Sequence, residues 1–144
     1  MKTCIALASA AVVALSLISL QPEETVAAGG ALKGDAKDGY KLVADLFVVM
    51  EFADDVFYKI PDKVKAGKVR RVRNDAMIIA ELMNVSKHSE DYGKEDGWSD
   101  ALTKTIDQLV ELSKAAKAKD AEKVTALHKK VEASCDSCHE KFRD

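Results

Sequence analysis

Close to its C-terminus the chain reads Cys135-Asp136-Ser137-Cys138-His139, two thiols three positions apart with an imidazole directly behind them. Thiols at that spacing can add across the two vinyl groups of one haem, and the adjacent histidine can ligate its iron. With three cysteines and three histidines in 144 residues, chance supplies such a run in roughly one chain in a thousand. Two other chemistries use a C-x-x-C pair. A redox dithiol normally follows a strand and opens a helix in an alternating βα pattern, which this sequence lacks. A structural zinc needs four ligands, and outside the run the chain offers only Cys4, His88 and His128. The favoured reading is a covalent site for one haem c and its iron, with Cys135 and Cys138 as thioether donors and His139 as the proximal ligand.

A helix must carry this run. The apolar positions Ala121, Val124, Leu127, Val131, Cys135, Cys138 and Phe142 step by threes and fours, so one face leads from ordinary core residues into both cysteines. Cys135, Cys138 and His139 stand at i, i+3 and i+4, and one helical face can present all three. Asp120 is the expected cap of this fourth helix.

Three more helices are expected before it. The first covers about 38–59 with Leu42, Leu46, Val49, Ala53, Val56 and Ile60 inward, closed by Pro61. The second covers about 63–86, repeating Val69, Val72, Ala76, Ile79 and Met83. A polar stretch, 87–97, with Gly93 and Gly97, reads as a loop. Ser99 is then the expected cap of a third helix bearing Leu102, Ile106, Leu109, Leu112 and Ala116, and 117–119 turns the chain. The fold class is all-α, an antiparallel up-down four-helix bundle holding the haem inside.

The N-terminus has a separate logic. Met1-Lys2-Thr3 is a short positive start, Cys4 to Leu20 is almost wholly apolar or small, and Gln21-Pro22-Glu23-Glu24 breaks the run before Val26-Ala27-Ala28. This reads as a signal peptide over 1–28, with a retained membrane anchor as the alternative. A flexible segment, 29–37, and a haem domain, 38–144, follow. Export suits covalent haem, which is assembled outside the bacterial cytoplasm, and the expected location is the periplasm. Removal of 1–28 takes away one lysine and two glutamates, so the formal charge moves from −2 to −1. Nothing in that balance calls for nucleic acid.

The chain resembles the cytochrome c′ family, the class II c-type cytochromes. Leu112-Ser113-Lys114-Ala115-Ala116, then Asp120, then Ala133-Ser134-Cys135-Asp136-Ser137-Cys138-His139-Glu140-Lys141-Phe142-Arg143 look like the end of that family's third helix and its fourth-helix signature. Trp98-Ser99-Asp100 looks like the opening of its third helix. The resemblance is strong from Trp98 onward and weaker before it. It implies a left-handed bundle with one covalent haem, often paired as a homodimer through the first two helices. It maps Arg143 to a basic residue one turn past His139 that tunes the proximal side; the plain alternative is a cation compensating the helix C-terminus.

Many members carry an Arg-Gln pair one turn before the residue covering the distal face of the iron. Here the stretch is Tyr40-Lys41-Leu42-Val43-Ala44-Asp45-Leu46-Phe47-Val48-Val49-Met50, with no such pair. Two candidates remain for that face: Met50 as a distal iron ligand, or Phe47 as a lid over a five-coordinate iron. Met77 and Met83 read as packing, His88 as a solvated loop residue and His128 as a bundle-edge residue.

Lys59, Lys63, Lys65, Lys68, Arg70, Arg71 and Arg73 form the one uneven charge feature, either a solvated helix face or a dock for an acidic redox partner. The functional expectation is a one-electron carrier, not an enzyme, working with a redox partner protein. The alternative is a module that binds a small gas ligand, nitric oxide or carbon monoxide. A third reading makes the haem a structural prop.

Overall fold

Asp45 starts the first helix: its carboxylate accepts the backbone N–H of Phe47 at 2.8 Å, and α1 runs Leu46–Phe57. The computed structural model describes residues 42–143. The expected leader, the segment 29–37 and residues 38–41 lie outside the described residues. Leu42 to Asp45 are not helical, so α1 is shorter than its periodicity suggested.

Pro61 does not close this helix. Tyr58 caps α1, and Pro61 sits in the first turn of a separate short helix, α2 (Ile60–Lys65). A first-turn residue needs no N–H donor, so proline fits a helix start as well as a stop. Gly67 then adopts φ +69°, a left-handed turn that ends α2. The next helix, α3 (Val69–Ser86), therefore begins six residues later than the expected Lys63.

The helix α4 (Trp98–Lys117) is preceded by Gly97 at φ +85°, so the chain enters through a glycine turn and not through Ser99. At its far end Lys119 N–H donates to the Ala116 carbonyl and Asp120 N–H to that of Ala115, both at 3.1 Å, with Lys119 itself at φ +60°. This is a Schellman stop with lysine in the place glycine usually takes. Asp120 then accepts the Lys123 N–H at 2.9 Å and starts α5 (Ala121–Phe142), as its sequence position foretold.

The three residues between α4 and α5 leave room only for an antiparallel reversal. The first ring of α4 touches the last of α5, with Trp98 and Phe142 at 5.3 Å between centroids. At the other end Phe57, closing α1, stacks on His128 in the first half of α5 at 4.0 Å. The bundle runs α1, α3, α4, α5, with α2 packed on α3 and α5 at one end. All described elements are helical.

The stripes read from sequence make the core. Val69, Val72, Ala76, Ile79 and Met83 are buried on α3; Leu102, Ile106, Leu109, Leu112 and Ala116 on α4; Val124, Leu127 and Val131 on α5. Phe57 joins them from outside the expected α1 stripe. Met77 corrects the packing assignment: it is 41% exposed, while Met83 is buried. No described helix is long and apolar enough to cross a membrane.

Candidate haem-binding site

Beyond Val131 the inward face of α5 stops being fully buried. Cys135, Cys138, His139 and Phe142 are half-buried and line a cavity of about 740 Å³. It runs along α1 and lies where α3 ends, α4 begins and α5 ends. From α1 come Leu46, Met50, Ala53 and Phe57; from α3 Ile79 and Met83; from α4 Trp98, Leu102 and Thr105. The wall is thus mainly aliphatic and aromatic, with both thiols and one imidazole on a single side.

Tertiary bonds hold the end wall in place. The buried Trp98 indole N–H donates to the Ser86 carbonyl at 3.0 Å, tying the start of α4 to the end of α3. Tyr92 stacks on Trp98 with centroids 5.2 Å apart. The Lys141 ammonium donates to the Asp96 carbonyl at 2.7 Å and lies 4.8 Å over the Phe142 ring. The loop 87–97 is therefore fastened to the last turn of α5. Gly97 suits this fastening twice, through its positive φ and because a Cβ there would meet the Lys141 Nζ at 2.9 Å.

Burial, above all, pushes the Cys135 thiol up to about 12, with the Asp54 carboxylate the next cause. Burial also raises Cys138, against a lowering by Lys141. Both sulfurs thus favour a neutral form. Among the described residues no three His, Cys, Asp or Glu side chains form a group that could hold a metal ion. The residues present fit a covalent haem: two neutral sulfurs one turn apart, an imidazole beside them, and an apolar chamber facing all three.

A family model described as cytochrome C′ matches residues 81–143. Over these residues the chain is similar to the cytochrome c′ family. No curated protein and no solved structure matches it. The match spans the end of α3, the loop, α4 and α5, which in a cytochrome c′ carry the covalent haem c and its iron. It stops short of α1, where this chain lacks the Arg-Gln pair.

Both distal candidates lie on α1 and line the cavity, but differently. Met50 is half-buried and packs against the core beside Leu46 and Ala53, whereas Phe47 is 68% exposed and stands at the rim. Arg143 also lines the cavity; its side chain is exposed, and its N–H closes the helix on the His139 carbonyl at 2.9 Å. This places it within reach of both roles considered for it.

Two readings need correction. His128 is no edge residue: it is 8% exposed, and its Nε2 lies 3.3 Å from the Phe57 carbonyl. Its partner is 71 residues away, beyond any local pattern. His88 is half-buried and not openly solvated. Of the basic cluster, Lys59 lines the cavity, while the rest follows on α2, the turn after it and the start of α3.

Proposed function

We propose that this chain is a cytochrome c′, a one-electron carrier of the periplasm, with Met50 as the sixth ligand of the iron. The observation that carries the reading is the place of Met50 on α1: it packs against the core with Leu46 and Ala53 and lines the same cavity as His139. The haem supplies the redox couple when bound. Cys135 and Cys138 would hold it, His139 and Met50 would be offered to its iron, and Ile79, Met83 and Leu102 keep water from the inner wall. The half-buried Cys138 and His139 keep this region close to solvent, which supports exchange of electrons with a partner protein by contact.

Met50→Leu tests the reading, because leucine keeps the volume and removes the sulfur. The expected result is loss of a low-spin spectrum and gain of carbon monoxide binding; an unchanged spectrum excludes Met50 as ligand. His139→Ala destroys the native iron environment on the same account, and an unaltered spectrum and potential would refute that assignment.

The exposed position of Phe47 favours a second reading. A lid at the rim over a five-coordinate iron would admit nitric oxide or carbon monoxide along an apolar wall. A homodimer through α1 and α3 is the third element of the proposal, supported by exposed Phe47, Val48 and Phe52 on α1 and Met77 and Ile78 on α3. Sedimentation equilibrium that gives a monomer at all accessible concentrations would remove it.

A further inference from the structure

The charges of this bundle are sorted along its axis. At the end away from the cavity, residues 60–75 and 117–123 carry nine Lys and Arg against four Asp and Glu. The two stretches meet there, since α2 packs on α3 and α5, and the start of α3 lies beside the end of α4. Lys63 is committed to Asp75 at 2.7 Å and Lys65 lies 3.7 Å from Asp62, an exposed pair of little strength. Arg70, Arg71, Arg73, Lys68, Lys117 and Lys119 are exposed. At the cavity end the sign reverses: α1 carries Glu51, Asp54 and Asp55 with no Lys or Arg.

Two further observations define what fits the positive pole. Among the described residues, no large apolar side chain is exposed between 59 and 76 or between 108 and 129. Protein interfaces take most of their energy from buried aromatic and apolar anchors, and this pole offers none. Its α4–α5 turn is also far from the redox site. Cys135 lies fourteen positions along α5 from Ala121, about 21 Å at 1.5 Å per residue. A redox partner seated here would be badly placed for electron exchange. Diffuse Lys and Arg charge without an anchor is what an anionic lipid surface recognises.

We infer that the pole formed by α2, the first turns of α3 and the α4–α5 turn docks on anionic phospholipid headgroups, and so turns the cavity end away from the bilayer. The attraction acts over a Debye length and fades with salt.

The test is cosedimentation of the haem-loaded protein with phosphatidylglycerol-containing vesicles and with pure phosphatidylcholine vesicles, at low and high salt. Binding is expected only to the anionic vesicles and only at low salt. The Arg70→Gln, Arg71→Gln, Arg73→Gln triple variant should bind about a hundredfold more weakly, on the basis of about fivefold per charge. Lys87→Gln, Lys94→Gln, Lys104→Gln removes the same charge from the rest of the surface and should bind nearly as well as the parent. If the arginine variant does not fold, Lys68→Gln, Lys117→Gln, Lys119→Gln replaces it. The inference is overturned by equal losses in the two triples, by equal binding to neutral vesicles, or by no vesicle binding alongside capture by polyglutamate.

Discussion

The two ends of the bundle are built by different rules. Away from the haem site, Ile60, Val72, Leu109, Leu112 and Val124 are wholly buried, and the polypeptide completes its own core. At the other end the same helices diverge from that pattern: Leu46, Met50, Cys135, Cys138 and Phe142 are only half-buried around a space of about 740 Å³. Nothing in the helix geometry changes between the two. The difference is that one end is closed by side chains and the other by a covalently attached group, so packing there is complete only after attachment. The solid end therefore sets the fold, and the hollow end sets the function.

The largest expected effect comes from denying the hollow end its filling. Cys135→Ser with Cys138→Ser should leave haem extractable by acid and cost about 4 kcal/mol, the scale of losing a ligand held at a thousand times its Kd. Hydrogen exchange should locate the loss in α1 and the end of α5. Equal loss of protection at both ends would erase the distinction.

A pair of truncations sharpens it. Leu112→Ala should cost about 3 kcal/mol in chemical denaturation, with or without haem, because it opens a void in a closed core. Met50→Ala should cost about 1 kcal/mol or less without haem, since its side chain already borders empty space, and clearly more once haem is present.

These regions were also unequally legible. The stripes of α3 and α4 could be read from spacing at both ends: every residue expected on them is buried, because a period of three or four leaves the chain few ways to hide so many apolar groups. The site run and its position on α5 were equally plain, and Asp120 was readable as a cap. Pro61 was not, since proline suits a helix start and stop alike. Gly67 and Gly97 gave turns whose side of the boundary depends on φ. The fastenings of the cavity wall were invisible for another reason. Trp98 to Ser86, Lys141 to Asp96 and His128 to Phe57 join residues 12, 45 and 71 positions apart, and their pairing exists only once the helices have packed.

One of those fastenings gives the next effect in size. Trp98→Phe keeps most of the ring and removes the donor, leaving the Ser86 carbonyl only its bond from the Ser89 N–H at 3.1 Å. A cost of about 1 kcal/mol is expected, with the haem spectrum perturbed because the same ring borders the cavity. Loss of stability with no spectral change would mean that Trp98 serves the bundle alone. The smallest effect lies at the solid end: Lys119→Gly should raise stability by about 1 kcal/mol, by relieving a left-handed conformation that a side chain resists, and thermal melting would detect it.

The most direct measurement is the visible spectrum of the reduced, haem-loaded protein before and after carbon monoxide. Sharp, split α and β bands that carbon monoxide leaves in place are the predicted result, the mark of a low-spin iron held between His139 and Met50. A broad high-spin spectrum that shifts with carbon monoxide would contradict it and make Phe47 the lid of an open site.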